Sequence, residues 1–176
     1  FAQRNQAHID SIRYIACETG LAPVGMAIGP FSLTTKLMGD PITAVALSGM
    51  GFTGEDEPGV LTLERCHRLA CLAVRRSLAA QMRAGARAVI VCEPAANSVY
   101  FSPKQLEAGS GTFERFVIQP LLQLKRQLTA GGADLILHDC GELTAGMVSE
   151  FGHRVHPAIL SLGSSRKLWE DAALVP

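Results

Sequence analysis

Two periods of apolar residues run along the chain, and the switches between them mark its elements. From Asn5 to Thr19, Ile9, Ile12, Ile15 and Ala16 recur at three- and four-residue spacing before Gly20, which predicts an amphipathic helix closed by a glycine cap. Pro23 to Ile28 is a short apolar run stopped by Gly29-Pro30, with no polar positions for an exposed face, and it predicts a strand buried on both sides. Runs of the same kind return at Ala88 to Cys92, Ala133 to His138 and Pro157 to Gly163. Between them the pattern predicts short helical pieces at Thr34 to Leu37 and Pro41 to Leu47, a glycine- and acid-rich surface loop at Gly49 to Gly59, and a long helix at Leu61 to Met82. Thr112 is placed to cap a helix running to about Leu128 that Pro120 should kink, and Glu142 to Phe151 reads as a further helix ended by Gly152.

Alternating strands and helices predict an α/β fold with a parallel sheet and crossover connections. Four such units make about half of an eight-stranded parallel barrel, which usually needs roughly 250 residues or more. Residues 1–176 are therefore expected to form one partial TIM-barrel domain, a (β/α)8 fold covered over roughly its central half and incomplete at both ends. The opening Phe1 and the closing apolar run Leu174-Val175-Pro176 fit that expectation.

Composition narrows the setting. Of the 176 residues 48% are hydrophobic, enough for one buried core, yet no run reaches the roughly 18 apolar residues of a membrane span and no signal peptide is discernible. Sixteen basic and sixteen acidic side chains are scattered, so neither a nucleic acid nor an anionic membrane is an expected partner. Five cysteines, odd in number and irregular in spacing, argue against a secreted disulfide framework and for a reducing, cytoplasmic location.

In a parallel barrel the chemistry gathers at the carboxyl ends of the strands, here Gly29-Pro30, Cys92-Glu93, His138-Asp139-Cys140 and Ser161-Leu162-Gly163. Alternation along a strand sends His138 and Cys140 to one side and Asp139 to the other. An imidazole and a thiol converging on one point suit a borderline-soft cation such as zinc, with a third protein ligand from elsewhere and a fourth position open. A chance spacing with Cys140 as a small core residue is the alternative, and the residues alone leave both open. Glu93 is expected to face the mouth as a catalytic or ligand-binding carboxylate, or else to cap its loop, and Cys92 to face away. Asn97 and Ser98 read as turn residues on the same mouth, and His153 and His156 as surface histidines at the opposite rim. Gly109 to Thr112 lacks the lysine of a phosphate-binding loop.

Several ordered motifs resemble a known family. Gly29-Pro30-Phe31-Ser32-Leu33 is similar to its GPFTLA turn, Pro94 to Pro103 to a loop closing on Ser-Pro, Phe113-Glu114-Arg115-Phe116-Val117 with Pro120 to a further motif, and Leu137-His138-Asp139-Cys140-Gly141 to its His-x-Cys-Gly segment. Together, from about Ala22 to Asp171, they resemble the uroporphyrinogen decarboxylase superfamily, and in particular its cobalamin-dependent methyltransferase branch. Thr34-Thr35-Lys36-Leu37 lacks the tyrosine that the decarboxylases carry after the turn. The resemblance implies zinc held by His138 and Cys140, with a third protein ligand outside this chain, and a methyl group moved between methylcobalamin on a partner corrinoid protein and a small acceptor such as coenzyme M or a tetrahydrofolate. Gly163-Ser164 stands where methyltransferase relatives tend to have a carboxylate. Tetrapyrrole decarboxylation and a non-catalytic ligand-binding barrel are the alternatives.

Overall fold

The computed structural model describes residues 3–163 and 166–176. The reading attached to Ser164 and the one attached to Phe1 lie outside the described residues. Four strands, β1 (Val24–Ile28), β2 (Ala88–Cys92), β3 (Asp134–Asp139) and β4 (Ile159–Leu162), pair in chain order and all in parallel. Every strand therefore ends at the same rim.

Helices cover one face of this sheet. Val89, Val91, Leu135 and Leu137 point into that layer and are buried. They pack with Leu63, Val74 and Leu78 of α4 (Pro58–Arg83) and with Leu121, Leu124 and Leu128 of the helix that follows β2. Burying such a side chain contributes roughly 1.5–3 kcal/mol, so this layer is the main source of stability. The other face carries Val24, Met26, Ile28 and Ile159 and is open, Met26 being 56% exposed. The strands are apolar on both sides, as expected, but only one side is covered within the described residues.

Local chemistry shifts several boundaries. α1 (Gln3–Glu18) buries Ile9 and Ile12. α2 (Pro30–Lys36) begins directly after β1 rather than at Thr34, because Pro30 takes the first helical turn, where its missing N–H costs nothing. α3 (Pro41–Gly49) is capped by Asp40, whose carboxylate accepts from Thr43 N at 3.0 Å. A short α5 (Pro103–Glu107) interrupts the loop after β2 and was not legible in the pattern.

The expected kink at Pro120 takes the form of a π-helical turn. Residues Glu114–Ile118 widen so that Gln119 N bonds back to Glu114 O, and α6 (Gln119–Ala130) carries Pro120 in its first turn. Widening relieves the clash between the proline ring and the preceding turn. α7 (Ala145–Ser149), capped by Thr144, likewise passes into a π turn at Glu150–Val155. Gly152 lies inside this turn against Val175 and does not end it; the left-handed His156 does, at φ 48°. α8 (Leu168–Asp171) closes the chain. No helix among the described residues is long and apolar enough to cross a membrane.

Candidate active site

Strand register brings three adjacent carboxyl ends together. Cys92 lies opposite His138, and His138 opposite Ser161. These three share the open face with Ile90, Ile136 and Ile159, by the alternation that buries Val91, Leu137 and Asp139 on the other face. His138 Nδ1 and Ser161 Oγ are 2.9 Å apart, so the hydroxyl engages one ring nitrogen and Nε2 has no partner among the described residues. Cys140 is exposed just beyond β3. Its charge acts on Cys92, whose thiol is raised above its ordinary range first by burial, then by Cys140 and then by Glu93. The rim thus carries an imidazole paired with a hydroxyl, and two thiols that feel each other, though among the described residues these do not close into a group of three that could hold a metal ion.

Two sequence expectations are corrected here. Cys92 does not face away; it belongs to the phase of Ala88 and Ile90 and stands beside His138. Glu93 does not face into the mouth; it belongs to the phase of Val89 and Val91 and is fully buried behind the rim. Its carboxylate meets the start of α2, accepting from Phe31 N at 3.3 Å and Ser32 N at 2.5 Å. Gly29 makes the approach possible, since a Cβ there would collide with the Glu93 carboxyl. Burial raises Glu93 to about 7, against the lowering effect of the Ser32 and Phe31 hydrogen bonds.

Asp139 occupies the same hidden side. It is fully buried, its Oδ1 accepts from Gly141 N at 2.8 Å, and its Oδ2 has no partner among the described residues. Burial first, and the charge of Glu93 second, raise it to about 7 against the Gly141 hydrogen bond. The bond to Gly141 spans Cys140 and fixes the turn that presents its sulfur. Gly141 in turn packs on Asn97, whose amide donates to Pro94 O at 2.6 Å and accepts from Val99 N at 2.8 Å. Ser98 N donates to Glu142 O at 2.9 Å, so the loops after β2 and β3 are tied to each other. Asn97 and Ser98 thus hold loop backbone.

The remaining sequence candidates lie elsewhere. His153 and His156 are exposed after α7, where His156 O accepts from Lys125 Nζ at 2.6 Å. In the Gly109 to Thr112 stretch Thr112 is the first helical residue rather than the cap, and the Ser110 hydroxyl two residues before it contacts both its hydroxyl and its N–H. Cys92 and Ser161 were missed as partners of His138, although the phase of each strand, fixed by its buried residues, marks them.

A second set was also missed. His67 and Cys71 lie one turn apart on α4, with His67 Nε2 3.6 Å from Cys71 Sγ and His67 Nδ1 3.1 Å from Thr34 Oγ1. Thr34 donates its own hydroxyl to Pro30 O at 2.7 Å and so receives from His67 Nδ1–H, which leaves Nε2 as the acceptor facing the Cys71 thiol. Burial, reinforced by Arg115, lowers His67 to about 4 and keeps it neutral. Burial raises the Cys71 thiol to about 11.

Comparison with known proteins shows the family and the fold. Residues 2–173 match the model of the uroporphyrinogen decarboxylase (URO-D) family. The chain belongs to that family. Among solved structures, it is similar to a methyltransferase from Methanosarcina mazei, with a TM-score of 0.71 and 17% sequence identity over 97% of this chain. It spans 45% of that chain, less than half its length. No curated protein matches the sequence. The URO-D fold is a TIM barrel, so the four parallel strands are part of one, and the open apolar face is the side turned to the barrel axis.

Proposed function

We propose that the protein is a zinc-dependent methyltransferase that moves a methyl group between a corrinoid protein and a thiol or other small acceptor, coenzyme M and a tetrahydrofolate being the acceptor classes the resemblance suggests. The observation that carries this reading is the placement of His138 beside Cys92, with Cys140 just beyond, on the axial face of a URO-D fold. The donor chemistry fits zinc: Nε2 of His138 has no partner among the described residues, and sulfur with imidazole is a common zinc donor set. Among the described residues no group of three carboxylates, imidazoles or thiols is gathered closely enough to hold a cation. His138 and Cys140 are therefore proposed as two ligands, with the third protein ligand outside these 176 residues.

Zinc bound there would keep a coordinated thiol deprotonated at neutral pH, where a free thiol, with a pKa near 8.5, is mostly protonated. The chain's own residues supply the setting. Ser161 orients the imidazole, the Asp139 bond to Gly141 presents Cys140, and the apolar side chains Met26, Ile90 and Ile136 line a face that excludes water once the barrel is closed. Glu93, behind the rim, anchors α2 to the end of β2 and is a positioning residue in this reading.

Metal analysis of the full-length protein tests the proposal. At least one zinc per chain is expected, and the variant carrying His138→Ala and Cys140→Ser together should hold one equivalent fewer than the wild type; an unchanged zinc content in that variant, or no zinc in protein purified without chelators, would sink it. Tetrapyrrole decarboxylation is the second reading, favoured by the family match. Carboxyl loss from uroporphyrinogen catalysed by metal-free protein would select it instead.

A further inference from the structure

The pair His67 and Cys71 on α4 lies in the helix layer, outside the rim and unused by the chemistry proposed there. We propose that it is a second cation site, a two-residue chelate for a divalent ion of the zinc class. Three observations carry this inference. First, residues four apart on a helix share one face, and His67 Nε2 stands 3.6 Å from Cys71 Sγ. Nitrogen at about 2.0–2.1 Å and sulfur at about 2.3 Å from a tetrahedral ion lie about 3.6 Å from each other, so the pair already has the bite of a chelate.

Second, the imidazole is held as a ligand imidazole is held. Thr34 Oγ1 accepts from Nδ1–H and is itself fixed by its bond to Pro30 O, so Nε2 carries the free lone pair and faces the sulfur. The ring also stands edge-on to Phe116, 5.2 Å between centroids, which limits its rotation. Third, both donors open onto a cleft of about 300 Å³ bounded by Glu64, Arg68, Arg115 and Gln123, with room for water at the two remaining positions. The positive charge of Arg115 is partly answered by Glu64, which it meets at 2.6 Å. The ion would replace the thiol proton and bridge two turns of α4 beside its contact with α2.

A sulfur–nitrogen hydrogen bond has the same separation, so the test must report on the metal–sulfur bond itself. Cobalt(II) is titrated into the full-length protein carrying His138→Ala and Cys140→Ser, which removes the proposed rim ligands and makes the outcome independent of the rim proposal. A sulfur-to-cobalt charge-transfer band saturating near one equivalent is expected. It should vanish on adding Cys71→Ser, and, where that variant misfolds by circular dichroism, on adding His67→Gln. Thr34→Val should keep the band but weaken binding by about tenfold or more, as loss of a ligand's orienting partner does. No band in the rim-deleted protein, a band that survives Cys71→Ser or His67→Gln in folded protein, or unchanged affinity in Thr34→Val would overturn the proposal.

Discussion

Ser161 decides which nitrogen of His138 is available. Replacing it with alanine removes the 2.9 Å partner of Nδ1 and frees the ring to turn, so under the zinc proposal the affinity of the rim for that ion should fall about 10- to 100-fold. Competition against a chromophoric chelator measures this, and unchanged affinity would refute the orienting role. Glu93 makes a prediction of opposite character. Its carboxyl sits near 7 in the folded chain against 4.5 in the open one, so folding favours the protonated form. The stability this contributes is complete below about pH 4.5, declines as pH rises toward 7 and is gone above it. Asp139 acts in the same sense. His67, lowered from 6.5 to about 4, acts in the opposite one, costing stability as pH falls through that window. The two trends partly cancel, so the wild-type curve alone is uninformative. The difference between wild type and Glu93→Gln isolates the carboxyl. In urea unfolding it should swing by about 3 kcal/mol between pH 4.5 and pH 8, toward the variant at the higher pH.

At the scale of elements, the entry to α2 depends on a missing side chain. A methyl group at Gly29 would collide with the Glu93 carboxyl, so Gly29→Ala should destabilise the fold by about 3 kcal/mol or more, measured as a lowered urea midpoint. The two π turns are joined at the surface by Arg154, which meets Glu114 and Glu150 at 2.5 and 2.7 Å. Because these groups are substantially exposed, Arg154→Ala should cost no more than about 1 kcal/mol. These elements also show what the amino-acid pattern could reveal. Strand positions and the long α4 were legible because their apolar runs are unbroken and bounded by glycine or proline. The π turns were not, since Pro120 announces a disturbance without its form, and Gly152 resembles a terminator until Val175 is seen against it. The phase of β2 was misread because Cys92 and Glu93 are both plausible rim residues. Only the burial of Val89 and Val91 decides which of them faces the axis.

At the scale of the whole molecule, the axial face is the chain's largest unmet demand. Val24, Met26, Ile28 and Ile159 stand open along it. The 176 residues expressed alone should bind an apolar dye and associate in sedimentation, and Met26→Glu should reduce both; a monodisperse, dye-free chain would contradict this picture. The same hydrogen-bonded ladder fixes where the rim donors stand. Neighbouring strands repeat at about 4.8 Å, so positions 92, 138 and 161 form a ruled row whose spacing is a property of peptide groups and not of the side chains mounted on them. Exchanging the donor at one position leaves the other two mounts where they were. A histidine in place of Cys92 would then set an imidazole instead of a thiol beside His138 at an unchanged address.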